Sequence, residues 1–162
     1  MIFSNETIQN QPTPLGVDRE QRMQRTLAIL KPDSVAAGNA GKIIAHLENE
    51  GFTIVAIKKT HLSQTQAEAF YEVHKERPFY RSLVEFMTGG PIMPIALERE
   101  DAVPYLRQVM GATNPEEAAD GTLRKLYASS IESNAVHGSD SAENARDELR
   151  FFFSRADLIA AL

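Results

Sequence analysis

The sequence predicts an α+β fold, an α/β sandwich in which helices cover a four-stranded antiparallel sheet, on three observations. The chain has 162 residues, enough for one domain with a sizeable core and too few for a second catalytic one. Its hydrophobic fraction of 43% and charged fraction of 24% are those of an ordinary globular protein. Short apolar runs alternate with segments of helical period, in the order strand, helix, strand, helix, helix, strand, helix, strand, helix. Without the additional helices that order is βαββαβ, the ferredoxin-like arrangement.

Residues 1–24 are polar, contain two prolines and offer no period that could bury a face, so they read as an arm, flexible or packed on a neighbouring subunit. The single domain is expected over 25–162. Thr26 to Leu30 is a short apolar run ended by Lys31-Pro32-Asp33, a buried strand and a turn. Asn39 is placed to cap a helix whose Ile43, Ile44 and Leu47 share one face, and Gly51 stands where a left-handed C-cap is wanted. Phe52 to Leu62 reads as the second strand. Ser63 and Gln66 have capping-box spacing ahead of a helix through Ala67, Phe70 and Tyr71. Arg77-Pro78 interrupts it before a stretch carrying Leu83, Val84 and Met87. Ile92 to Leu97 is the third strand, and Pro94, with no N–H to donate, predicts an edge or a bulge there. Asp101 is placed to cap the next helix. Gly111 to Gly121 reads as a loop with an Asn-Pro turn, Ser133 to His137 as the last strand, and Ser141 as the cap of a helix bearing Ala142, Ala145, Leu149 and Phe152.

Composition excludes several classes of function. Seventeen basic against 22 acidic residues leave a net charge of −5, the wrong sign for a main partner that is a polyanion, so nucleic acid is not expected and any nucleotide site must be a local basic pocket. No cysteine is present, which removes disulfide and thiolate chemistry. No apolar run approaches the ~18–20 residues that cross a bilayer. Met1 to Asn10 resemble neither a secretory signal nor a transit peptide, so a cytoplasmic location is expected and Asn5-Glu6-Thr7 is a chance match to the glycosylation pattern.

Ala36 to Ile43 comes near the phosphate loop of ATPases but lacks its first glycine and the Ser or Thr after Lys42. Phosphate handling must come from elsewhere. The informative stretch is Asn134-Ala135-Val136-His137-Gly138-Ser139-Asp140-Ser141. A histidine at a strand end, followed by glycine and a helix N-terminus, is well placed as a nucleophile towards phosphorus, because helical N–H groups favour phosphate and a neutral imidazole needs no separate base. Its ring must be oriented by an acceptor, and Glu148 on the following helix is at a suitable spacing. On spacing alone a surface or core histidine is the commoner outcome.

The stretch Asn134 to Asp140 resembles the active-site signature of the nucleoside diphosphate kinases. Arg25-Thr26 through Lys31-Pro32-Asp33, Arg77-Pro78-Phe79, Gly111-Ala112-Thr113-Asn114-Pro115 and Gly121-Thr122-Leu123-Arg124 resemble that family in the same order, so that the resemblance runs from Arg25 to about Phe153. It implies ping-pong transfer of a γ-phosphoryl group from a nucleoside triphosphate to a diphosphate through phosphohistidine on His137, supported by Glu148 and by Ser139 or Ser141. Lys31 and Asn134 would bond the sugar hydroxyls, with Lys31 also near the moving phosphate. Arg77, Arg107, Thr113 and Arg124 would hold phosphate oxygens, and Tyr71 would lie beside His137. Phe79 would stack on the base with Ile131 opposite, giving broad base tolerance because every base has a π-face. Mg2+ would be carried by the nucleotide phosphates, with Asp140 reaching it at most through a water.

The family's oligomers are tetramers or hexamers, and an end soon after Phe153 does not decide between them. Departures are Arg99, where glycine is common, and Lys125-Leu126, where many relatives have a small residue and an acid. The alternatives to the enzyme are a nucleotide-binding regulator and a phosphohistidine relay to a protein partner, although a relay would not need Phe79 and Asn134. No motif supports a role for His46, His61 or His74.

Overall fold

The computed structural model describes residues 23–159. Four strands, β1 (Met23–Leu30), β2 (Thr53–Ile57), β3 (Met93–Glu100) and β4 (Val136–Gly138), form one sheet in the order β2-β3-β1-β4, with each neighbouring pair antiparallel. This is the ferredoxin-like order expected from the sequence. The helices are α1 (Pro32–Ala36), α2 (Ala40–Asn49), α3 (Gln64–Phe70), α4 (Tyr80–Thr88), α5 (Ala102–Met110), α6 (Leu123–Tyr127), α7 (Ala142–Phe152) and α8 (Arg155–Leu158). The segment read as an arm lies outside the described residues as far as residue 22, while Met23 and Gln24 belong to β1.

Central β1 is covered on both faces, which is why it reads as a continuous apolar run rather than an alternation. Ala28 and Leu30 pack with Ile43 and Leu47 of α2 and with Leu106 and Met110 of α5. Leu27 and Ile29 point the other way, onto Ala67 of α3, Met87 of α4 and Leu149 and Phe152 of α7. Each such side chain contributes roughly 1.5–3 kcal/mol by leaving water. His137 of β4 stands opposite Ile29, and directly paired residues share a face. It therefore emerges on the α3, α4 and α7 side.

Local chemistry explains where the elements begin. Ser63 and Gln66 form the expected capping box, and Ser141 accepts from the Asn144 N–H at the start of α7. Gly51 takes the left-handed conformation, φ 82°. Two expected caps are not used. Asn39 makes no side-chain cap bond. Asp101 is itself left-handed, φ 51°, and the Val103 N–H at the start of α5 is taken by Gln24 Oε1 at 2.8 Å. Lys31-Pro32-Asp33 opens the short α1, with Pro32 in its first turn, where a missing N–H costs nothing.

Pro94 lies on a central strand, not an edge, and the irregularity in the sheet falls elsewhere, between Ile54 and Ala56 of β2. The Lys58 N–H donates to the Pro94 carbonyl at 3.2 Å, so Pro94 turns its backbone polar side away from β1. Its absent donor removes one hydrogen bond just beyond the end of β2, and pairing resumes at Thr60 and Ile92.

Arg99 also has a structural reason. Its guanidinium carbon lies 3.4 Å from the Tyr105 ring centroid and 5.3 Å from that of Phe52, and Nη1 donates to the Glu50 carbonyl at 2.6 Å. The side chain thus ties β3 to α5 and to the end of α2 through cation–π contacts and a charged hydrogen bond. Lys125 and Leu126 are exposed on α6, away from buried Leu123 and Arg124.

Candidate active site

His137 is held through one ring nitrogen. Its Nε2 lies 3.1 Å from Glu148 Oε1, on the α7 residue next to buried Leu149, so the packing that seats α7 also delivers the carboxylate. The other carboxylate oxygen, Oε2, accepts a short hydrogen bond from Ser139 Oγ. Ser139 Oγ in turn accepts from the Leu27 N–H of β1 at 3.3 Å. An ionised carboxylate can only accept, so this chain of contacts puts the imidazole proton on Nε2 and leaves the lone pair on Nδ1. Among the described residues nothing is hydrogen-bonded to Nδ1. Of the two serines, Ser139 makes the contact with Glu148, and Ser141 is occupied as the α7 cap.

The ring is walled by aromatic edges. Phe70 meets it at 5.6 Å between centroids and Tyr71 at 6.3 Å, both near perpendicular. Burial, with the Glu148 charge adding to it, pushes the Tyr71 phenol up beyond its ordinary range, so it stays neutral. Gly138 leaves room on the opposite face, where a β-carbon would come within 3.1 Å of Leu106 Cδ2 and closer still to Met110 Sδ.

Lys31, which follows β1, donates through Nζ to Asn134 Oδ1 at 3.0 Å and to the Glu132 carbonyl at 2.9 Å. Asn134 Nδ2 donates to the Ile131 carbonyl at 2.8 Å. Burial lowers the Lys31 pKa to about 8; the Asp33 and Glu132 charges oppose that shift and the Arg124 charge adds to it. Arg124 is also buried, and burial followed by repulsion from Arg107 brings it down to about 10. It donates to the Gly111 carbonyl at 3.1 Å and the Val136 carbonyl at 3.0 Å, while its buried Nε has no partner among the described residues. Cations desolvated against one another in this way favour an incoming anion.

These groups line one cavity of about 740 Å³. Lys31, Tyr71, Arg107, Thr113, Arg124, Asn134, His137, Asp140 and Glu148 all contribute to its wall, with Ser139 behind Glu148. Arg77, Phe79 and Ile131 do not. Arg77 is exposed, Phe79 is 49% exposed beside His74 at 5.6 Å between ring centroids, and Ile131 is 61% exposed and tied to the cavity through Asn134. Phe70, His74 and Phe151 also line the cavity, and no motif marked them; His74 stacks on Tyr71 at 6.4 Å. His46 and His61 lie elsewhere. A second hollow of about 910 Å³ on α3 and α4 carries Glu68, Glu72 and Glu85 beside Lys75 and Arg81, a mixed set with no convergent cations. Among the described residues no three His, Asp or Glu gather as a metal site. No helix of the described residues is long and apolar enough to cross a membrane.

Residues 24–158 match the family described as Nucleoside diphosphate kinase. A nucleoside diphosphate kinase of Persephonella marina is 54% identical over 137 residues, covering 85% of this chain and 98% of that one. One from Campylobacter curvus is 56% identical over 136 residues, covering 84% and 99%. Among solved structures, the chain superposes on the Aquifex aeolicus nucleoside diphosphate kinase with a TM-score of 0.83 at 41% identity, over 85% of this chain and 99% of that one. It superposes on the halophilic enzyme of Halobacterium salinarum, solved with CDP, with a TM-score of 0.81 at 35% identity, over 86% and 93%.

Proposed function

The chain belongs to the nucleoside diphosphate kinase family and is a phosphotransferase acting on nucleotides, and within that activity we propose that His137 Nδ1 is the atom that carries the phosphoryl group. The observation supporting this is the Nε2 contact to Glu148, which leaves Nδ1 as the basic nitrogen in a cavity that also contains Lys31, Arg107 and Arg124. In the first half-reaction the Nδ1 lone pair attacks the γ-phosphorus, the bond to the β,γ-bridging oxygen breaks, and the diphosphate leaves with that electron pair. In the second, a terminal oxygen of the acceptor diphosphate attacks the same phosphorus and the imidazole regains its lone pair. Glu148 holds the Nε2 proton throughout and offsets the charge that grows on the ring.

Arg107, Thr113 and Arg124 hold phosphate oxygens, with Arg77 joining from outside the cavity wall. Lys31 and Asn134 take the sugar hydroxyls. Phe79 and Ile131, both exposed, grip the base by its faces, so base identity matters little. A charge pair at ~4 Å with an effective dielectric near 20 is worth about 4 kcal/mol, so a few such cations offset much of a triphosphate's charge. The family's reaction uses a divalent metal; we assign Mg2+, which would come with the nucleotide and offset phosphate charge, and Asp140 on the cavity wall would reach it at most through a water. A homo-oligomer, tetramer or hexamer, and a cytoplasmic location complete the reading; edge strand β2 offers a side for a second copy to cover.

The test is a pulse of γ-labelled ATP with magnesium followed by unlabelled GDP. An acid-labile label should form on the protein and move promptly to GTP. A label that forms but stays despite GDP would replace this reading with a relay to a protein acceptor, and the absence of label despite bound nucleotide would leave a regulator.

The Lys31 shift sets a pH limit. Only the protonated amine attracts phosphate, so kcat/KM should fall as pH rises through about 8. Lys31→Arg, charged throughout, should lose that alkaline limb whatever its absolute rate. For stability the sign is opposite: between about 8 and 10.5 the unfolded chain keeps a proton that the folded one has released, so this group makes folding more favourable as pH rises. An alkaline limb that survives Lys31→Arg would assign it to another group.

A further inference from the structure

Ala135 lies between the two site residues Asn134 and His137, and its backbone is strained. It is fully buried with φ 72°, a left-handed value on a residue with a β-carbon, and the Val136 N–H donates to the Asn134 carbonyl at 2.9 Å, closing a three-residue γ-turn. A γ-turn of this hand is rare because it crowds the β-carbon, and persists only where neighbours over-determine it.

Here the neighbours are the residues that follow Lys31. The Ala135 N–H donates to Asp33 Oδ2 at 3.0 Å. Its carbonyl accepts from the Lys31 N–H at 3.0 Å and from Ser34 Oγ at 2.8 Å. Both polar groups of the strained residue are thus fixed from one short segment, whose first residue sends its amine to Asn134. Neither Asp33 nor Ser34 lines the cavity.

We propose that Asp33 and Ser34 are positioning residues, a clamp that holds Ala135 in its left-handed turn and so sets where His137 Nδ1 stands relative to the phosphates. The inference rests on His137 as the nucleophile, which the label in the wild-type protein tests separately. If the turn relaxed towards an ordinary extended conformation, the path of β4 would change between Asn134 and His137. The sugar-binding amide and the nucleophile would no longer be in register. Reacting atoms must meet at about 3–3.5 Å, so a small displacement is felt in rate before it is felt in binding.

The experiment measures single-turnover labelling of His137, affinity for a fluorescent ADP analogue and Tm in Ser34→Ala, Asp33→Ala, Asp33→Asn and Ala135→Gly, alone and combined. Ser34→Ala should slow labelling about tenfold, the size of one hydrogen bond, with analogue affinity within about twofold of wild type because no cavity group has been removed. Asp33→Asn, which keeps an acceptor oxygen, should label faster than Asp33→Ala. Glycine adopts this conformation without strain, so adding Ala135→Gly to Ser34→Ala should restore most of the lost rate. Should Asp33→Ala not fold, Ser34→Ala with and without Ala135→Gly still decides. Wild-type labelling in Ser34→Ala, or a loss that Ala135→Gly leaves untouched, would overturn the clamp; wild-type protein that never labels would instead remove the nucleophile on which it rests.

Discussion

His137→Ala should keep its fold and its nucleotide affinity while losing transfer from ATP to GDP by on the order of 10⁴-fold or more, the loss typical when a covalent nucleophile is removed. The fold is kept because β4 pairs with β1 through backbone groups, and among the described residues the ring's polar contact is with Glu148. That carboxylate retains Ser139. What is lost is packing against Phe70 and Tyr71, a destabilisation within the ordinary range of roughly 0.5–3 kcal/mol. Affinity is kept because the groups proposed to bind phosphate and sugar, Lys31, Arg107, Thr113, Arg124 and Asn134, are untouched. Rate has no such reserve. In a ping-pong exchange donor and acceptor occupy the same site in turn, so they meet through the histidine or not at all. Steady-state GTP formation, analogue binding and Tm measured on one preparation test all three statements. Turnover within about tenfold of wild type, in a folded variant, would mean that another group accepts the phosphoryl.

How far the sequence reaches depends on whether a residue's role is local. The β1 run from Leu27 to Leu30, the Ser63 and Gln66 box and the Ser141 cap are set by neighbours within a few residues, and the structure follows them. Glu148 was legible for a similar reason, since α7 is a regular helix and its apolar positions Ala145, Leu149 and Phe152 fix which way it turns. The short α1 and α6 were not legible, because five residues carry no measurable period. Nor was Ala135, since alanine gives no sign of a left-handed backbone and its three restraining bonds come from residues about a hundred positions away. Asp101 offered a cap to α5 and lost the position to Gln24, an exchange between distant segments that no local rule contains. Phe70, His74 and Phe151 reach the cavity through tertiary packing. The resemblance supplied Arg107 and Thr113, whose side chains taken singly look like any exposed polar residue.

Glu148→Ala should bind nucleotide normally yet phosphorylate His137 roughly 10²–10³-fold more slowly, a range between the loss of an orienting partner and the loss of a charge aligned with the transition state. Two effects combine. Without the acceptor at 3.1 Å from Nε2 the imidazole can place its proton on Nδ1, where it blocks attack. As the phosphorus bond forms, moreover, the ring becomes cationic with no anion beside it. Glu148→Gln should be intermediate, because its carbonyl can still accept from Nε2 if its amide turns towards Ser139, whose Oγ then accepts where it formerly donated. Ser139→Ala acts only through Glu148, so in the wild-type background it should slow labelling by up to about tenfold, the worth of one charge-assisted bond. It also leaves the Leu27 N–H without its Oγ acceptor, which lowers stability by roughly 1–3 kcal/mol. In the Glu148→Ala background the same substitution should cost almost no further rate, because the two belong to one chain of contacts and their effects do not add. Single-turnover labelling of the four proteins in this cycle measures the coupling directly. Additive losses would separate Ser139 from Glu148, and a Glu148→Ala protein that labels as fast as wild type would leave the orientation of His137 to the aromatic edges of Phe70 and Tyr71.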